Sequence, residues 1–142
     1  MTEHPRTPKN DAPKLNSGEP EADIQVSALV RYVAGDSHPD DNRYVFAYTI
    51  TIHNVGQGSA QLLDRHWIIS NGDGEEHEVR GEGVIGEQPH IAPGDQYEYT
   101  SGAVLASEVG SMRGSYGFCT PQGERFTVPI APFSLAKPRA LH

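Results

Sequence analysis

Arg43-Tyr-Val-Phe-Ala-Tyr-Thr-Ile-Thr-Ile-His53 alternates strictly. Tyr44, Phe46, Tyr48, Ile50 and Ile52 take every second place, and Val45, Ala47, Thr49, Thr51 and His53 fill the gaps. Successive side chains of a strand point to opposite faces, so a period of two in β-branched and aromatic residues reads as a strand with one buried face. The even residues are expected in the core. The odd face is less clean, because Val45 lies on it. Ile24, Val26, Ala28, Val30 and Tyr32 repeat the pattern, as do Tyr97 and Tyr99, then Met112, Tyr116 and Phe118, and finally Phe126, Val128 and Ile130. Leu62 to Ser70 is short and β-branched enough for a further strand, with Trp67 near its middle as a packing residue. Glu76 to Gly81 reads as another.

Turn signals separate these runs: Gly35 to Asn42, Asn54 to Gly58, Asn71 to Gly74, Pro93 to Asp95, Gly110-Ser111 and Pro121 to Gly123. No long stretch has a helical period. About seven short strands spaced by turns predict an all-β fold, a two-sheet antiparallel β-sandwich. Pro129 cannot donate to a ladder, so the last strand is expected at a sheet edge, with a bulge or bend.

Residues 1–22 are expected to form a disordered tail: Pro5, Pro8, Pro13 and Pro20 break them up, and too little apolar surface is present to offset ordering entropy. The sandwich is expected over 23–135 and a short C-terminal tail over 136–142. The 142 residues carry 11 basic and 19 acidic side chains, a net charge of −8. That balance disfavours nucleic acid and anionic membranes as partners. The single cysteine, Cys119, allows no internal disulfide and suits a reducing compartment. No apolar run approaches a membrane span, and the first residues lack a secretory hydrophobic segment, so a cytoplasmic location is expected.

Five stretches, taken in order and spacing, resemble the ApaG family: RHWIISNGDG (Arg65 to Gly74), VRGEGVIGEQP (Val79 to Pro89), IAPGDQYEYTSG (Ile91 to Gly102), GSMRGSYGF (Gly110 to Phe118) and FTVPIAPFSL (Phe126 to Leu135). The resemblance implies a fibronectin type III-like or immunoglobulin-like sandwich. It also implies a genetic association with cobalt resistance and magnesium efflux, reuse as a recognition module in larger proteins, and no established catalytic chemistry.

The sequence offers three kinds of candidate site. Gly81-Glu82-Gly83-Val84-Ile85-Gly86 fits G-x-G-x-x-G, a phosphate cradle only where a strand leads into a helix. Gln88, Pro89 and Pro93-Gly94 leave no room for that helix, and a glycine-rich bend is the favoured reading. Arg80, Arg65 and His66 would complete an anion site if the third and fourth strands form a hairpin. Arg65 is otherwise expected to pair with Asp64, Glu76 or Glu78. For a metal, none of the seven histidines has ligand spacing. The acidic loop Asp36, His38, Asp40 and Asp41 would hold a hard cation only weakly, and no metal or cofactor is assigned. For catalysis, neither Ser101 nor Cys119 has a base beside it in sequence.

The expected function is therefore a non-enzymatic module that recognises a protein partner whose identity the sequence leaves open. The Gly81 to Pro89 loop, the Asn71 to Gly74 turn and the face of Tyr97 and Tyr99 are its candidate surfaces, with the tyrosines favoured as core. An edge strand could also pair two copies. The alternative is a small-ligand sensor for phosphate or nucleotide at the glycine loop, or for a divalent cation.

Overall fold

Alternation in the quoted stretch sets the architecture. The computed structural model describes residues 21–139; of the tails expected at 1–22 and 136–142, residues 1–20 and 140–142 lie outside them, whereas Ala136 ends the last strand and the Lys137 N–H donates to the Glu108 carbonyl (2.9 Å). Strand β2 (Tyr44–Asn54) buries Phe46, Tyr48, Ile50 and Ile52, and its odd residues stay partly exposed. It is the central strand of a three-stranded antiparallel sheet, between β1 (Ile24–Tyr32) and β6 (Gln96–Leu105). The second sheet runs β4 (Glu76–Glu82), β3 (Ala60–Asn71), β7 (Val109–Cys119) and β8 (Arg125–Ala136), all antiparallel. A two-residue strand, β5 (His90–Ile91), also pairs with β3. The two sheets close over one apolar interior, the antiparallel sandwich expected from the period of two. Two short 3₁₀ turns, Ala34–Asp36 and Pro39–Asp41, are the only helical elements among the described residues. No helix there is long and apolar enough to cross a membrane.

Trp67 sits at the centre of the interior, edge-on to Tyr48 from the opposite sheet and to Tyr116 and Phe133 from its own. A hydrogen bond between the Tyr99 and Tyr116 hydroxyls (2.5 Å) links β6 to β7 across the sandwich. Burial pushes the Tyr99 phenol up to about 12 and raises Tyr116 further still. Both tyrosines are therefore neutral donors and acceptors of the core. Tyr97 is half-buried and donates to a Glu87 carboxylate oxygen (2.9 Å).

Pro129 lies on an edge strand, as expected, opposite Ser115. The irregularity comes slightly later, where Ala131 and Pro132 together face Arg113 between the Met112–Phe133 and Gly114–Ile130 pairs. Gly110-Ser111, expected as a turn, belongs to β7. Gly110 is required because a Cβ there would strike the Ser70 carbonyl oxygen and, at 2.6 Å, the Leu105 side chain.

One buried polar side chain fastens an end of the sandwich. Asn54 is fully buried. Its Oδ1 accepts from the backbone N–H of Asp23 (3.2 Å) and Gly56 (3.0 Å), and its Nδ2 donates to the carbonyls of Gly58 (2.8 Å) and Ile91 (3.0 Å). The start of β1, the β2–β3 turn and β5 are thus held by one amide with all four hydrogen bonds made. Removing it leaves buried backbone groups without partners, each costing about 1–3 kcal/mol. Asn54→Ala is expected to lower unfolding free energy by about 2–5 kcal/mol in urea denaturation, with the folded strand signature in circular dichroism retained.

Candidate functional site

The Asn71 to Gly74 segment forms the expected hairpin turn, with the Asn71 N–H donating to the Glu75 carbonyl (2.8 Å) and the Gly74 N–H to the Asn71 carbonyl (3.0 Å). It sets the β3–β4 register, which places Arg65 opposite Gly81 and His66 opposite Arg80. The candidate anion residues therefore meet in register, but on two faces. Neighbouring residues of a strand point to opposite sides. Arg65 follows Gly81 toward the interior, close enough to Tyr99 and Tyr116 to act on both phenols. His66 and Arg80 turn outward and share one carboxylate: Glu78 Oε2 is 2.5 Å from His66 Nε2 and 3.0 Å from Arg80 Nη2. The hydrogen bond from His66, followed by the Arg80 charge, holds the Glu78 carboxyl below its ordinary value.

Arg65 does not close the expected ion pair. Asp64 and Glu78 lie on the outward face, so an inward guanidinium has backbone to bond instead. Its Nη1 donates to the carbonyls of Glu82 (3.0 Å) and Gly83 (2.8 Å). The guanidinium lies flat over Gly81, where a Cβ would sit 2.8 Å from Cζ and both terminal nitrogens.

The glycine loop turns without a helix. Val84 and Glu87 exchange backbone hydrogen bonds (2.8 and 2.9 Å) around Ile85 (φ 41°) and Gly86 (φ 80°), a two-residue reversal with both central residues left-handed. Gly83 also has positive φ (65°), and a Cβ there would run into the Glu87 carbonyl. The N–H groups of Gly83, Val84 and Glu87 donate to Leu63, Glu87 and Val84 carbonyls. Each of the three glycines thus has a role in the backbone itself, and three of the loop's amides are engaged internally. An open depression of about 440 Å³ lies beside this segment, bordered by Asp64, Arg65, His66, Arg80, Gly81 and Glu82 among others. Its rim carries both signs of charge.

Among the described residues, no group of three or more His, Cys, Asp or Glu side chains could hold a metal ion. Asp36, Asp40 and Asp41 fall in the two 3₁₀ turns, with His38 between them. Cys119 Sγ contacts the Thr120 carbonyl at 3.4 Å. It borders a hollow of about 270 Å³ together with His90. Gln61 stands between them in the ladder, opposite Cys119 on one side and His90 on the other. Two strand spacings, about 10 Å, separate their backbones.

The sequence reading missed the outer face of the three-stranded sheet. Register sets Leu29 beside Thr49 and Thr100, Arg31 beside Ala47 and Gly102, and Val45 beside Val104. Leu29 is 74% exposed and Val104 53%. The outer face of the other sheet is laced with ion pairs, Glu78 with His66 and Arg80, Glu76 with Arg113 and Asp64 with Arg125. The signal for the apolar strip was present: Val45 and Leu29 both sit at positions their strands' periods send outward.

The ApaG domain matches residues 34–120 of the chain. The chain belongs to the ApaG family. Protein ApaG of Ectopseudomonas mendocina (strain ymp) is 55% identical over 124 residues, spanning 87% of this chain and 98% of the relative. Protein ApaG of Citrobacter koseri is 52% identical over 123 residues, covering 87% and 97%. Among solved structures, the putative ApaA protein from Bordetella pertussis superposes with a TM-score of 0.81 at 50% identity, covering 84% of this chain and 97% of that one. The match to the ApaG domain includes the whole Arg65–Gly81 region described above.

If Gly81 is bare so that Arg65 can lie over it, the two act as one unit. Gly81→Ala and Arg65→Ala are each expected to destabilise the fold by about 1–3 kcal/mol through loss of the charged hydrogen bonds to the Glu82 and Gly83 carbonyls. The double variant is expected to cost little more than either single one, a coupling read from a double-mutant cycle in urea.

Proposed function

We propose that the chain is a non-catalytic, cytoplasmic recognition module that docks a protein partner on the outer face of its three-stranded sheet. One observation carries this reading, the contrast between the two outer faces. Charged side chains of the β3–β4–β7–β8 face neutralise one another in pairs within and across strands, as on an ordinary solvated surface. The β1–β2–β6 face presents Leu29, Val45, Ala47, Gly102 and Val104 in adjacent rows, with Thr49 and Thr100 hydrogen-bonded to each other (2.8 Å) among them and Arg31 at the β1 side of the Ala47 row. An exposed apolar strip with a polar rim, on a rigid sheet, is suited to a partner's surface. The net charge of −8 favours a partner that is neutral or basic there. A partner engaged in metal traffic would connect the domain to the family's association with cobalt resistance and magnesium efflux.

The alternative of a small-ligand sensor draws on the Arg80 and His66 pair beside the glycine loop. It is the weaker reading because Glu78 already engages both His66 and Arg80 and Arg65 faces the interior.

A photo-crosslinking residue placed at Leu29 is expected to trap a discrete protein adduct in cells, and the same residue at Glu78, on the opposite face, to trap none. Equal adducts from both positions would contradict the reading. Pyrophosphate, ATP, cobalt and magnesium at millimolar concentration are expected to leave the melting temperature unchanged; a saturable rise with any of them would favour the sensor.

A further inference from the structure

The sandwich has four sheet edges, and three are closed or blunted. β4 carries five charged or titratable side chains in seven residues. β8 carries Pro129, Pro132 and a bulge, and packs beside β1. Such features discourage pairing with another chain. β6 has no strand on its far side and carries a single charge, Glu98.

The ladder shows which β6 groups are open. At the ends of β2, the Val55 N–H bonds the Asp23 carbonyl and the Val45 carbonyl accepts from Val33, so odd β2 residues bond toward β1. The Asn54 N–H bonds the Asp95 carbonyl, so even β2 residues bond toward β6. In an antiparallel ladder this parity persists along the strand. Odd β6 residues are the partners of even β2 residues. Gln96, Glu98, Thr100, Gly102 and Val104 therefore direct their N–H and C=O groups to the open edge, and no described residue bonds these groups there. Their side chains lie on the exposed outer face.

Gly102 supplies an independent observation. At the other strand glycines, Gly81, Gly110, Gly114 and Gly117, an added Cβ would collide with neighbouring atoms. At Gly102 it would meet only the Phe46 carbonyl oxygen, at an ordinary 3.4 Å, and the backbone there is not left-handed. The fold does not require this glycine. A bare position in a strand admits the close approach of another chain, and a neighbouring aromatic ring covers it well.

Resting on the recognition reading, we propose that the β6 edge accepts an extended segment of another protein as an added antiparallel strand. An aromatic side chain of that segment would lie over Gly102, and a Lys or Arg four residues away on the same face would stand beside Glu98. The spacing follows from the four residues between Glu98 and Gly102 and the period of two. The basic residue complements Glu98, the one charge on this strand. A second copy is disfavoured as the occupant. Each copy carries −8, so two copies repel one another where a basic segment is attracted.

The test is a phage-displayed library of extended peptides panned on the full chain. Recovered peptides are expected to share an aromatic and a basic residue four apart. Gly102→Val is expected to weaken their binding at least tenfold while leaving the melting temperature equal or higher. Thr100→Pro, which removes one outward N–H without breaking the β2 ladder, is expected to weaken it similarly. Failure to recover peptides, recovered peptides indifferent to both variants, or sedimentation showing a dimer that Gly102→Val abolishes would each overturn the proposal. A cross-link through position 29 that survives Gly102→Val would sink the edge site and leave the recognition reading standing.

Discussion

The structure depends on the parity of β2. As the central strand of the smaller sheet, it must divide both its side chains and its backbone hydrogen bonds between two directions. Even residues fill the interior and bond toward β6; odd residues cover the outer face and bond toward β1. A slip of one residue would exchange Phe46, Ile50 and Ile52 with Ala47, Thr49 and Thr51, emptying the core and exposing the isoleucines. Because that exchange is prohibitive, the parity of β2 also fixes which β6 groups face outward. The open edge is thus a consequence of how the core is filled.

The residues that first suggest an anion site are better understood as parts of the larger sheet. Arg65 turns inward because its register partner is Gly81, and it caps carbonyls where the chain leaves β4. Its positive charge lies close to the buried Tyr99 and Tyr116 phenols without ionising them. His66 and Arg80 turn outward because they follow the opposite parity, and Glu78 lies between them. The larger sheet thus satisfies its charges on its own surface, and the two most exposed apolar strand residues, Leu29 and Val104, lie on the smaller one.

Much of this was legible in the chain itself. Alternation at Tyr44 to Ile52, the Asn71 to Gly74 turn, Trp67 in the core and the edge position of Pro129 all follow from local chemistry, and all appear in the fold. The bonding of Arg65 was not legible: its parity with Trp67 sends it inward, but only the β3–β4 pairing shows that the Glu82 and Gly83 carbonyls lie there to receive it. Gly110 read as a turn because a glycine needed for close contact with a distant strand has the same sequence signature as one needed for a bend. The two-residue β5 is too short to carry a period. The open edge of β6 required knowing that β2 and β6, some fifty residues apart, are neighbours. Local pattern gives strands; only the pairing shows which strand is left without a partner.

Residue-by-residue amide hydrogen exchange on the free protein tests the open edge most directly. The account predicts alternation along β6: slow exchange at Tyr97, Tyr99, Ser101 and Ala103, which bond toward β2, and fast exchange at Glu98, Thr100, Gly102 and Val104. Uniform protection along the strand would mean that the edge is already covered, and would contradict it.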